Sequence, residues 1–159
     1  MHRILILISL FIIYHPTDSI AQEIKINKNS VFLELAGSGG IASLNYERIF
    51  YDKKYLDFSS RIGFSFAPLD RNNGTAIVVP IMLNLLVGQT AHKLELGIGQ
   101  GLSITTKGSV FALFTPAISY RYQAEQSRLF YRLSYTPLLS YLIDYQVQHW
   151  AGISIGYRF

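Results

Sequence analysis

From residue 31 onward, large apolar side chains alternate with small or polar ones, segment after segment, and turn residues cut the segments apart. At the end of the chain Ala151, Ile153, Ile155, Tyr157 and Phe159 share one parity, and Trp150, Gly152, Ser154, Gly156 and Arg158 the other. Residues 55–66 set Leu56, Phe58, Ile62, Phe64 and Phe66 against Asp57, Ser59, Arg61, Gly63 and Ser65. In 93–103, Leu94, Leu96, Ile98 and Leu102 oppose Glu95, Gly97, Gly99 and Gly101. A period of two belongs to strands, whose successive side chains point to opposite faces. Eight such segments can be counted: 31–37, 41–50, 55–66, 75–87, 93–103, 109–123, 128–139 and 149–159, with 140–148 as a connection. No helix fits the pattern. An even number of strands of roughly ten residues, joined by short turns, predicts an all-β fold, an eight-stranded antiparallel up-and-down barrel with both termini on one side.

The alternation also chooses the solvent. One face of each strand is bulky and greasy, and the other carries glycine, serine and single charges. A water-soluble carrier barrel of the lipocalin kind would need its bulky face inside and a surface dense in Lys and Glu. Eight strands enclose a space just wide enough for side chains, so the small polar face suits the lumen and the greasy face suits lipid. Charged residues make up only 15% of the 159, against roughly 25% in soluble domains. Aromatic residues gather at segment ends, Phe50, Tyr51, Tyr55, Tyr120, Tyr122, Tyr157 and Phe159 toward the termini, and Phe64, Phe66, Phe114, Tyr135 and Trp150 toward the other rim, as in the interfacial girdles of transmembrane barrels.

Residues 1–21 read as a secretory signal. A basic start at His2 and Arg3 precedes an apolar core from Ile4 to Tyr14; Pro16, Thr17 and Asp18 break it before Ser19-Ile20-Ala21, a small-residue cleavage site. That core is too short to span a hydrocarbon layer of about 30 Å as a helix. The barrel domain is then 22–159, transmembrane through its strands.

Leu33-Glu34-Leu35 with Gly37, followed by Ser43-Leu44-Asn45-Tyr46-Glu47-Arg48, resembles the opening hairpin of small outer-membrane β-barrel proteins of gram-negative bacteria, OmpX- or OmpA-barrel-like and uncharacterised in activity. The ending Gly156-Tyr157-Arg158-Phe159 resembles the C-terminal aromatic signal read by the barrel-assembly machinery, with Tyr157 and Phe159 as the signal residues. The resemblance implies a cell outer-membrane location, with outer-membrane lipid and that machinery as partners, and brings no activity with it. We expect a monomer.

Projecting the alternation inward puts Glu34, Glu47, Asp57 and Glu95 in the lumen with Arg61, Arg121, Arg132 and Arg158. A lone ion in a narrow, poorly hydrated interior costs several kcal/mol. Four acids and four bases are therefore expected to pair across the lumen, Arg forks bridging carboxylates, and to plug the barrel. Arg48, with outward parity near a strand end, can snorkel to headgroups.

Little in the sequence asks for catalysis or a cofactor. There is no G-x-S-x-G, H-E-x-x-H, P-loop or Ca²⁺ loop, and Gly97-x-Gly99-x-Gly101 lies within an alternating strand, with no helix after it. With no cysteine there is no disulfide or thiolate metal site. The net charge of +4 comes from scattered Lys and Arg, without a run that could track nucleic acid. Paired-carboxylate catalysis by Glu34 and Glu47 would require an accessible pocket and raised proton affinity, which nearby arginines oppose. The alternative enzyme reading is a lipid-modifying barrel, lipid A deacylase-like, using His149 beside Ser140 and Asp144; His149 is otherwise an interfacial histidine. Tyr141-Leu142-Ile143-Asp144-Tyr145 is the most apolar external loop, suited to partner contact or to covering the barrel mouth.

Overall fold

The computed structural model describes residues 27–68, 74–140 and 145–159; the proposed leader lies outside them. The strands are β1 (Asn29–Gly37), β2 (Gly40–Asp52), β3 (Leu56–Pro68), β4 (Thr75–Val87), β5 (His92–Thr105), β6 (Val110–Tyr122), β7 (Leu129–Tyr135), β8 (Leu138–Ser140), β9 (Gln146–Gln148) and β10 (Ala151–Arg158). Each pairs antiparallel with its neighbour, and β10 returns to β1, closing the sheet. β7 and β8 are two parts of one stave and β9 and β10 of the next, so the barrel has eight. No helix occurs among the described residues. Closure is completed where Phe159 N donates to Asn29 O at 2.8 Å and Asn29 N to Phe159 O at 3.3 Å. A closed cylinder leaves no unpaired edge.

The register aligns the greasy face around the circumference. Leu33 lies opposite both Ile155 and Leu44, Tyr46 opposite Ile62, Leu83 opposite Ile98, and Leu133 opposite both Tyr120 and Ile153. All of these point outward and are exposed, Leu44 at 63% and Ile98 and Ile153 at 58%. Inside are Ser30, Ser43, Ser59, Ser65, Ser103, Ser119, Ser134 and Ser154, all buried, with the glycines of β3, β5 and β10. Gly156 makes room for the edge-to-face pair Phe32–Phe130, whose centroids are 5.8 Å apart, since a Cβ there would lie 2.3 Å from the Phe130 ring.

The structure departs from the expected strands at several points. The segment 128–139 is interrupted between β7 and β8, the strand expected over 149–159 begins only at Ala151, and 146–148, expected as connection, forms β9. The break between β7 and β8 falls at Pro137, which has no N–H for the ladder. β2 runs on to Asp52 through a register shift between Ile49 and Tyr51, and this bulge leaves the consecutive aromatics Phe50 and Tyr51 both exposed. Trp150, expected in the outer girdle, has the inward parity of Gly152 and lines the lumen mouth.

Two glycines of the inner face test this packing. Gly156→Val is expected to destabilise the barrel by about 1–3 kcal/mol through overpacking, whereas Gly101→Ala, whose new methyl meets nothing nearer than 3.8 Å, is expected to change the urea midpoint little. Equal midpoints for the two variants would contradict the packing described.

Candidate functional site: the charged lumen

Strand parity places the site. Glu34 comes from β1, Glu47 from β2, Asp57 and Arg61 from β3, Glu95 from β5, Arg121 from β6, Arg132 from β7 and Arg158 from β10. Six of these form one lattice. Arg132 is its centre: Nη1 donates to Glu95 Oε1 at 3.0 Å and Nη2 to Glu34 Oε1 at 3.1 Å. One guanidinium fork thus holds carboxylates from β1 and β5, opposite walls of the cylinder. Arg121 Nη1 donates to Glu47 Oε2 at 2.7 Å, joining β6 to β2, also opposite, and lies 3.6 Å from Glu95 Oε2. Arg61 Nη1 reaches Glu34 Oε1 at 3.4 Å.

Hydroxyl groups add further bonds to the carboxylates, while Glu95 Oε2 and the Nε atoms of Arg61, Arg121 and Arg132 are buried without a hydrogen-bond partner among the described residues. Glu47 accepts from Ser59 Oγ at 2.8 Å and Ser30 Oγ at 3.2 Å, and Glu34 from Ser38 Oγ at 3.0 Å. Two aromatic faces support the guanidiniums: the Arg121 carbon lies 3.8 Å from the Phe130 centroid and that of Arg132 lies 4.4 Å from the Phe32 centroid, within cation–π range. Glu47 and Arg121 are 0% exposed and Glu34 1%. Three acids and three bases balance to zero in a place where an uncompensated ion costs several kcal/mol.

The other two sequence candidates stand apart. Asp57 pairs with Lys93, a partner the sequence reading missed although Lys93 shares the parity of Glu95. Arg158 donates to the carbonyls of Ala124 and Ser127, with no carboxylate partner among the described residues, and so ties down the turn between β6 and β7. Phe32 and Phe130 were missed too, although they carry the inward parity of Glu34 and Arg132. Tyr157 points outward, its hydroxyl accepting from Arg128 Nη1 at 2.9 Å, and Phe159 is exposed at the seam.

Chemically the lattice is a cross-brace. Its carboxylates are paired with arginines and offer a substrate almost no exposed surface. Among the described residues no three His, Asp or Glu side chains gather as a metal-binding group. His149 stands on the outer face with its Nδ1 2.6 Å from the Tyr135 hydroxyl, while Ser140 continues the inward parity of Ser134 and Leu138; Asp144 and most of the apolar loop 141–145 lie outside the described residues. His92 meets Tyr120 in the same way at the opposite rim. No protein-family model matches the chain, nor does any curated protein or solved structure.

Removing Arg132 separates the brace from its surroundings. Arg132→Ala takes the nearer of two arginine partners from both Glu34 and Glu95, leaves the buried lattice one positive charge short, and is expected to cost about 3–5 kcal/mol in equilibrium unfolding. Arg158→Ala leaves no carboxylate behind and is expected to cost about 1–2 kcal/mol. A loss below about 1 kcal/mol for Arg132→Ala would show that water already solvates the lattice.

Proposed function

We propose that this protein is an exported outer-membrane β-barrel whose lumen is plugged by its own ion pairs, and that it serves as a structural or interaction component of the membrane and not as an open pore. One observation carries the reading: an outward apolar surface runs around the whole circumference and encloses a lumen of buried, paired charge. In water such a belt would far exceed the few hundred Å² of contiguous apolar patch that soluble monomers expose; in a bilayer it is the ordinary arrangement of a transmembrane barrel. Aromatic residues at both rims support it, with Phe50, Tyr51, Tyr55, Tyr120, Tyr122 and Tyr157 at one end and Phe64, Phe66, Phe114 and Tyr135 at the other. Lys53 over Tyr51 and Lys54 over Tyr55 set cations beside the rings where headgroups would lie.

On this reading residues 1–21 are the export signal, and Tyr157 and Phe159 are presented to the assembly machinery before the last strand closes on β1. The same apolar belt argues against a water-soluble carrier. No observation favours catalysis at His149 over an interfacial role.

The native protein is expected to stay with membranes through salt and alkaline carbonate washes and to migrate faster on gels unheated than boiled, as SDS-resistant barrels do. In planar bilayers it is expected to give no steady conductance. Release by carbonate would overturn the membrane reading; sustained single-channel steps would overturn the plug.

A further inference from the structure

The lumen has two chemically different halves. The ion lattice fills the middle and the terminus side. Above it, toward the hairpin Ser38-Gly39, lies a cavity of about 180 Å³ lined mainly by apolar groups, Val78, Phe111, Leu113, Leu138 and Trp150 among them, with Gly101 in its wall. Ser38 joins the halves, lining the cavity while its hydroxyl donates to Glu34. The pocket opens at the lumen mouth, where Ser38, Ser103 and Gln148 are its polar side chains; its apolar remainder gives water few of the two to four partners it needs, and an apolar space of about 150 Å³ can take up benzene.

The wall beside this cavity is interrupted. β6 pairs with β7 as far as Ile118–Tyr135 and with β8 again at Phe114–Leu139. The register sets Pro116 opposite Pro137 in between. Thr136 gives its N–H to Trp150 O on the far side, at 2.8 Å, so the backbone of the next residue, Pro137, faces β6, where Pro116 faces it in turn. Neither has an N–H, and both ladder bonds of that pair are lost. Leu138 follows this gap directly and lines the cavity.

Resting on the membrane reading above, we propose that the cavity binds the terminal segment of a single hydrocarbon tail, about six carbons by its volume, and that the tail passes sideways from the lipid through the seam between Pro116 and Pro137. The tail belongs either to a membrane lipid or to a free fatty acid. The apolar lining holds it, and the ion lattice beneath sets the depth at which it stops.

Trp150 is the only tryptophan in the chain and therefore a built-in reporter. The full-length barrel, shown folded by its heat-modifiable migration, is titrated in micelles with two probes: free ω-bromododecanoate, and a phosphatidylethanolamine carrying the same brominated chain. Saturable quenching of Trp150 within a few probes per barrel is expected. Saturation by the free acid alone assigns a fatty-acid site, and saturation by the phospholipid a membrane-lipid site. Gly101→Leu, which grows into the cavity from a position with no atom nearer than 3.8 Å to its Cβ, is expected to abolish the saturable part. Restoring both N–H groups with Pro116→Val and Pro137→Val is expected to keep the amplitude and slow its onset at least tenfold. Quenching that rises linearly and equally in wild type and Gly101→Leu would overturn the site, and an unchanged onset would overturn the sideways route. A chain that forms no heat-modifiable barrel fails the membrane reading itself and takes this proposal with it, a result distinct from a folded barrel without saturation.

Discussion

The arginine fork of Arg132, held between Glu34 and Glu95, is the contact on which the interior depends. A cylinder of eight strands is too narrow for bulk water yet must be filled, and its strands turn small and polar residues inward. Ions placed there either pair completely or carry a large desolvation penalty. Bracing β1 to β5 through β7, and β2 to β6 directly, lets side chains of modest length bridge the diameter. The two phenyl rings among the guanidiniums take up volume that would otherwise need water, and present their π faces to positive charge.

The outer surface follows the opposite rule from the same alternation. Because side chains change face at every residue, a strand that satisfies the lumen with Ser, Gly and Arg has Leu, Ile and Phe left over for its other side. The register then joins these leftovers into a continuous belt, as along Leu44, Leu33, Ile155 and Tyr131. Closure through Asn29 and Phe159 makes that belt an uninterrupted ring.

Strand number, antiparallel order and inward parity of all eight lumen candidates could be read from the sequence because parity is a local property. Three things could not. In β4 both faces are apolar, Met82 and Leu86 inside and Leu83 and Leu85 outside, so alternation is silent there. Partner choice depends on register: Asp57 meets Lys93 because β3 to β5 bring them to one level, and nothing local to either residue says so. The break in the β7–β8 stave falls where Pro137 faces Pro116 of β6, a coincidence of two segments apart in sequence. Trp150 sits at a strand end like the girdle aromatics, but it shares the inward parity of Gly152 and lines the lumen mouth.

Glu34 and Arg132 are separated by 98 positions along the chain. Until the seventh stave is in place, the acids of the early strands have no Arg132 to meet, and contacts so remote in sequence form late and slowly. A half-built sheet thus carries carboxylates short of their partners, which keep their water until the brace can form. Neutralising the lumen and closing the cylinder are therefore coupled, since the carboxylates of β1 and β5 gain their shared arginine only with β7.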